Sequence, residues 1–167
     1  MQTTLCDASQ ANAEAVSNLI HVSFSALAAA DWDASASTTF LDESSPQAIA
    51  AAIASSTLAL VASAANRPVG FLLMPSPRLL ALLFVHPDYL RNGIGTTLWE
   101  AARAKLEVDQ PEVQTVELNA TPNSVTFYRS VGFVPISLEF SFRGCRATRM
   151  ACWLPARARN CSVGNAP

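Results

Sequence analysis

The residues best suited to chemistry lie between Leu82 and Leu98. An apolar run, Leu82-Leu83-Phe84-Val85, is followed by His86-Pro87-Asp88-Tyr89-Leu90-Arg91-Asn92 and then by Gly93-Ile94-Gly95-Thr96-Thr97-Leu98. This order reads as a buried strand, a turn and a helix start. The first N–H groups of a helix have no intrahelical partner, and glycines let a ligand approach without a Cβ in the way. The turn therefore suits an anion such as a phosphate, and Arg91 adds a positive charge. A bare Gly-x-Gly also serves simply as a turn. Two phosphate-binding patterns fail on spacing. The dinucleotide fingerprint needs its glycines directly after the strand, but here seven residues intervene and Leu98 stands at the third glycine position. The nucleoside-triphosphate loop needs a Gly-Lys pair, which the chain lacks.

The elements around this turn follow from periodicity. Ala11 to Ala30 reads as a helix, with Val16, Leu19, Ile20, Phe24 and Leu27 on one stripe. Asp31 to Thr39 loses that period and reads as a polar loop. A second helix is expected over Pro46 to Ala54, started by Ser44-Ser45-Pro46. Leu58–Ala62 and Val69–Met74 read as short strands around a turn, and Leu79–Val85 as a strand covered on both faces. Ile94 to Glu107 is a helix with Leu98, Trp99, Ala102 and Leu106 on its inner face, and Val113–Asn119 is a strand. Thr121-Pro122 opens a short helix that carries Phe127 and Tyr128, and Gly132 ends it. Val134, Ile136, Leu138, Phe140 and Phe142 alternate with polar residues, the pattern of one half-buried strand. Arg143-Gly144 turns it into a last strand, Cys145–Leu154, and Pro155 to Pro167 reads as a frayed tail.

Length and composition set the frame. The 167 residues fit one domain, expected over 1–155 with a flexible tail at 156–167. A net charge of −2 argues against a polybasic nucleic-acid binder. That value hides an asymmetry. Residues 1–66 hold six acids and no Lys or Arg, while residues 67–167 hold eleven bases and seven acids, giving −6 and +4. Such a split suggests ligands of opposite sign at the two ends. Cys6, Cys145, Cys152 and Cys161 form no Cys-x-x-Cys pair, so they read as reduced thiols and no metal is expected. The start lacks the pattern of a secretory signal and no apolar run is long enough for a bilayer, so a cytoplasmic protein without a membrane partner is expected.

Two segments together resemble the GNAT superfamily of acyl-CoA-dependent N-acetyltransferases. The likeness runs from Val69-Gly70-Phe71 through Leu154. Its first signature is Val85-His86-Pro87 followed by Leu90-Arg91-Asn92-Gly93-Ile94-Gly95. Its second is Leu118-Asn119-Ala120-Thr121-Pro122-Asn123-Ser124 followed by Phe127-Tyr128-Arg129-Ser130-Val131-Gly132-Phe133. Leu90 departs from the family, which usually has Gln or Arg there. The resemblance implies an α/β fold (α+β): a mixed, mostly antiparallel sheet of about six to seven strands flanked by about four helices. It implies acetyl-CoA as co-substrate. Main-chain groups of Phe84 and Val85 would bond the pantetheine arm, and Arg91, Asn92, Gly93, Gly95 and Thr96 would hold the pyrophosphate. Asn119 and Asn123 would lie near the arm. Tyr128 would approach the sulfur and protonate the departing thiolate.

The implied reaction is direct attack of a neutral amine on the acetyl thioester, with the developing oxyanion met by a main-chain N–H near Val85. Glu117, Glu139 and His86 are candidates for the base, and spacing singles out none. By the same resemblance, the loop after the first helix, Asp31-Trp32-Asp33, would line the acceptor site. Its carboxylates and ring could receive a cationic amine. A small-molecule amine is thus the expected acceptor, and a homodimer is compatible with the resemblance. A protein or peptide N-acetyltransferase and a non-catalytic acyl-CoA sensor remain the alternatives.

Overall fold

The computed structural model describes residues 3–154, so the expected tail and Cys161 lie outside the described residues. Two continuous apolar runs build the central hairpin: β2 (Leu58–Ala64) and β3 (Arg67–Met74). Their turn, Ala65-Asn66, has both residues at positive φ, 47° and 62°, the geometry that matches the twist of the strands. β1 (Thr4–Asp7) pairs with β2 and β4 (Leu82–Val85) with β3, giving an antiparallel sheet in the order β1-β2-β3-β4. The second sheet joins β5 (Thr115–Ala120), β6 (Val134–Pro135) and β7 (Phe140–Phe142) through a long β8 (Cys145–Trp153), with which each pairs.

The sheets meet at one seam. The Glu117 N–H donates to the Arg78 carbonyl at 2.8 Å, and the Leu80 N–H donates to the Glu117 carbonyl at 3.0 Å. Beyond it β4 and β5 do not pair, so one edge of β4 is left free. Helices cover both faces of the first sheet. α1 (Ala13–Leu27) and α3 (Pro46–Ser55) close one side through Val16, Ile20, Ile49 and Ile53, packed on Val61 and Phe71. α4 (Ile94–Asp109) closes the other through Leu98, Ala102 and Leu106, packed on Leu60 and Leu72 and continuing onto β5 and β8. Trp99 is fully buried there, and its Nε1–H donates to the Val131 carbonyl at 3.1 Å. α3 starts as expected, with Pro46 in its first turn and Ser45 Oγ accepting from the Ala48 N–H. α5 (Val125–Ser130) is short, preceded by a 3-10 turn at Pro122–Ser124 and ended by Gly132 at φ 99°.

The architecture is the expected α/β class, with eight strands and five α-helices among the described residues. Four local expectations are corrected. Asp31–Thr39 is not all loop, because α2 spans Ala34–Glu43. It buries no residue fully and so lacks an apolar period. Side-chain bonds from Thr38 and Thr39 to the Ala34 and Ser35 carbonyls lie along it, and Phe40 packs inward. The run from Val134 to Phe142 is not one strand but β6 and β7. Val134, Ile136 and Leu138 share an exposed face, Leu138 at 90%. Alternation reports which residues share a face, not whether that face is covered. The Leu79–Val85 run forms β4 only from Leu82, its start being drawn to the seam with β5, and the four β4 residues are half-buried. β1 was not foreseen, since four exposed residues carry no burial pattern.

Candidate active site

A cavity of about 1330 Å³ is lined by β4, the start of α4, the end of β5 and α5, and farther along by the end of α1, α2 and the β7–β8 hairpin. Gly93 caps α4 in the left-handed region at φ 76°, where a Cβ would meet nothing within 4 Å. Glycine is needed there for backbone conformation and not for space. Arg91, also left-handed at φ 61°, completes the reversal. Arg91, Gly93, Ile94, Gly95 and Thr96 all line the cavity, so the unpartnered amides of the first helical turn sit at its wall. Asn92 does not line it. Its side chain donates to the Tyr89 carbonyl at 3.3 Å and braces the turn. Gly95 has a packing reason of its own, since a Cβ would lie 3.0 Å from Phe127 Cζ.

The free edge of β4 can be assigned by parity. The His86 N–H donates to the Val69 carbonyl at 2.9 Å, so its amide faces β3. Alternation then turns Phe84 toward β3 as well and leaves Leu83 and Val85 facing the cavity. Val85 thus turns its main chain to the cavity. Phe84 is a correction, its main chain being used within the sheet. Ser23, wholly buried on α1, donates to the Val85 carbonyl at 3.1 Å and leaves the Val85 N–H as the free group. Ser23 was missed. Its signal was a serine inside the apolar stripe of α1, beside Phe24.

Tyr128 lines the cavity from α5, half-buried against Phe127 and Phe133. Its hydroxyl has no hydrogen-bond partner among the described residues, and burial pushes the phenol well above its usual range, so it stays protonated. Asn119 and Asn123 line the same cavity, and the Asn123 side chain also ties this turn to α1 by donating to the Leu27 carbonyl. Glu117 sits at the seam and does not line the cavity, and neither does Glu139, which faces Arg146 at 3.5 Å. His86 is turned to its own loop, Nδ1 accepting from the Asp88 N–H at 3.2 Å.

The Asp31-Trp32-Asp33 expectation divides. Trp32 lines the cavity and packs on Phe24 and Phe40 at 5.3 and 5.1 Å between ring centres. Asp31 is held by Arg146 at 3.0 Å, and the Asp33 N–H donates to the Gly144 carbonyl at 2.8 Å. Neither carboxylate lines the large cavity. Asp31 through its carboxylate and Asp33 through its main-chain N–H dock the start of α2 against the β7–β8 turn, and both line a smaller pocket of about 220 Å³ there with Trp32. Gly144 is indispensable to that docking, because its Cβ would lie 2.5 Å from Ala36 Cβ. Glu43 and Arg143, paired at 2.7 Å, also join α2 to the hairpin and do line the cavity.

The family model for the acetyltransferase (GNAT) domain matches residues 9–154. The chain belongs to the GNAT acetyltransferase family. No curated protein matches the sequence. Solved GNAT structures share the fold. A GCN5-related N-acetyltransferase from Rhodopseudomonas palustris superposes with a TM-score of 0.80 at 23% identity, covering 92% of this chain and 97% of that one. The PaiA N-acetyltransferase from Thermoplasma acidophilum, solved with coenzyme A, gives 0.78 at 20% identity, covering 92% and 99%. The ribosomal-protein-S18-alanine N-acetyltransferase from Escherichia coli gives 0.66 at 19%, covering 95% and 98%. This GNAT chain is therefore an acyl-CoA-dependent acyltransferase. Its Leu90, where the family usually has Gln or Arg, lines the cavity mouth at 41% exposure. Leu90 brings no polar or charged side chain to this turn, where Arg91 is the one charged residue lining the cavity among the described residues.

Proposed function

We propose that the protein is an N-acetyltransferase that moves an acetyl group from acetyl-CoA to the primary amine of a small molecule. The observation that carries this reading is the convergence on one cavity of the α4 amides, the free β4 edge and Tyr128. Bound acetyl-CoA supplies the activated thioester. Arg91 and the amides of Gly93 to Thr96 would hold the pyrophosphate, and the edge groups of Leu83 and Val85 would pair with the pantetheine arm like an added strand. The Val85 N–H, with its carbonyl already occupied by Ser23, is the donor available to a carbonyl oxygen under attack.

The amine nitrogen forms the new C–N bond as the C–S bond breaks, and the sulfur leaves as thiolate. Tyr128 first donates a hydrogen bond to that sulfur. The proton follows, and the phenol recovers it from the departing ammonium proton through solvent. Burial keeps the phenol protonated, so it is available as a hydrogen-bond donor to the sulfur and excluded as the base, while the same raised pKa makes it a weaker acid than a free phenol. No His and no unpaired carboxylate lines the cavity among the described residues, so water takes the amine proton. The wall that α2 and the β7–β8 hairpin build together, joined by the Asp33 to Gly144 bond and the Glu43–Arg143 pair, supports a small acceptor over a folded protein segment. Tyr128→Phe tests the reading. Turnover, followed by product mass over an amine panel, should fall about 100-fold or more while coenzyme A affinity holds. Equal turnover would remove Tyr128 from the chemistry. A parent protein that binds acetyl-CoA and acetylates nothing would favour the sensor.

A further inference from the structure

The far end of the cavity narrows the small cationic amine that the acidic loop suggested. Glu43 is the one carboxylate lining the cavity among the described residues, and both of its oxygens lie within 3.0 Å of Arg143 Nη2. Arg91 and Arg143 are the cationic residues of the lining, so its charged side chains sum to a small positive value. Asp31 is 11% exposed and bonded to Arg146. What lines this end is instead aromatic, with wholly buried Phe24 backing Trp32 and Phe40. Phe24, Trp32 and Phe40 lie 4.6 to 5.3 Å apart, with Phe142 on the hairpin opposite.

We infer that the acceptor is a monoamine carried on an apolar, ring-bearing body, and not a polyamine or aminoglycoside; this rests on the transferase reading above. Every further ammonium brought to this end would leave water with no free carboxylate to meet it, a desolvation cost without compensation. A ring exchanges water for edge-to-face or offset contacts of the kind these side chains already make with one another. A single amine, positive only until it gives up its proton, is tolerated beside ring faces. The aromatic cluster meets β4 at Phe84, 6.0 Å from Phe40 between ring centres, and holds no residue of the α4 start, so a short acetyl group would leave it free for the acceptor.

Acetylation by the full chain, measured by product mass with acetyl-CoA, tests this with 2-phenylethylamine and tryptamine against ethylamine, spermidine and kanamycin. The ring monoamines should exceed ethylamine in kcat/KM by about tenfold, the scale of burying part of one ring, and should exceed spermidine by more. Phe40→Ala should cut the ring-over-ethylamine ratio several-fold, with coenzyme A binding by calorimetry reporting that the donor site is intact. Arg143→Gln, which frees Glu43, should raise spermidine turnover relative to tryptamine. A preference for spermidine or kanamycin in the parent would overturn the inference and leave the transferase reading standing. So would faster turnover of octanoyl-CoA than of acetyl-CoA with ethylamine, which would give the aromatic end to the acyl chain. Binding of acetyl-CoA with no amine acetylated would bring down the transferase reading and this inference with it.

Discussion

Gly70 sets how closely α4 approaches the sheet, and a single methyl there should be felt at the donor site. Gly70 lies on β3 opposite Val85, and a Cβ at this position would stand 2.6 Å from Ile94 Cγ2 and 2.9 Å from Leu98 Cδ1. Carbon atoms rest at about 3.5 to 4.0 Å. The start of α4 must therefore retreat by about 1 Å, since Ile94 Cγ2 is one bond from the helix-side Cβ and Leu98 is wholly buried. Overpacking of this kind costs about 1 to 3 kcal/mol. For a chain of this size that lowers Tm by about 2 to 12 °C. Because the retreating turn carries the Gly93 to Thr96 amides, Gly70→Ala should also weaken coenzyme A binding about tenfold, as misplacement of binding groups by 1 Å does. Thermal unfolding by circular dichroism and calorimetric titration with coenzyme A measure the two effects. The double variant Gly70→Ala/Ile94→Ala removes the closest clash, and should be more stable than the sum of its single changes by about 1 kcal/mol. Additive changes, or a Gly70→Ala protein with unaltered Tm and affinity, would refute the packing argument.

Ser23→Ala removes the donor to the Val85 carbonyl and should cost about 1 kcal/mol of stability; a raised KM for acetyl-CoA, measured at saturating amine, would show that the bond also orders the β4 edge. Asp31→Asn with Asp33→Asn should leave the KM of an accepted amine unchanged, because neither carboxylate lines the large cavity. A large KM rise in that variant would restore the acidic loop to the acceptor site. Burial pushes the Cys145 and Cys152 thiols above their ordinary value, against smaller opposing effects of a Cys145 backbone hydrogen bond and of Arg103 beside Cys152. Both stay protonated in the native protein while the unfolded chain ionises. Their contribution to stability is complete below about pH 8.5, the ordinary thiol value, and is lost as pH rises through the raised folded values. Chemical unfolding from pH 7 to 10 should show that decline, and peptide mass after iodoacetamide at pH 8 should show exposed Cys6 modified well ahead of Cys145 and Cys152.

The cavity wall proposed for the donor was legible because it is local. The strand, turn and helix start occupy one stretch of chain, and Gly93 announces a left-handed residue wherever the rest folds. Tyr128 and Asn119 were legible for the same reason, each lying in a short motif at the end of β5. The part proposed for the acceptor was not. Its wall is assembled from α1, α2 and a hairpin more than a hundred residues away, and the partners of Asp31 and Glu43, Arg146 and Arg143, have no spacing relation to them. α2 escaped detection because helical period is a record of burial, and a helix packed only through half-buried residues such as Phe40 leaves none. The parity of β4 was equally hidden. Which of Phe84 and Val85 offers its main chain to a ligand depends on the register with β3, and a shift of one residue would exchange them.

The division of charge between the two halves of the chain now has a structural account. Of the six acids in residues 1–66, Asp7 meets Lys105 at 3.0 Å, Asp31 meets Arg146 at 3.0 Å and Glu43 meets Arg143 at 2.7 Å, so half of them face a base from the other half of the chain. The Asp7–Lys105 and Glu43–Arg143 pairs are exposed on both sides and worth about 0 to 1 kcal/mol each, whereas in the third Asp31 lies largely buried beneath an exposed Arg146. Their larger effect is to cancel one another's charge at a distance. Two of the three join α2 and the loop before it to the β7–β8 hairpin, and so close the aromatic end of the cavity. On the proposed reading, attraction for an anionic donor would depend on groups that sequence charge does not count: the amides at the start of α4, with Arg91 beside them. The −6/+4 split thus describes how the chain fastens to itself, and the chemistry of both ligands is decided by the few groups that this fastening leaves facing the cavity.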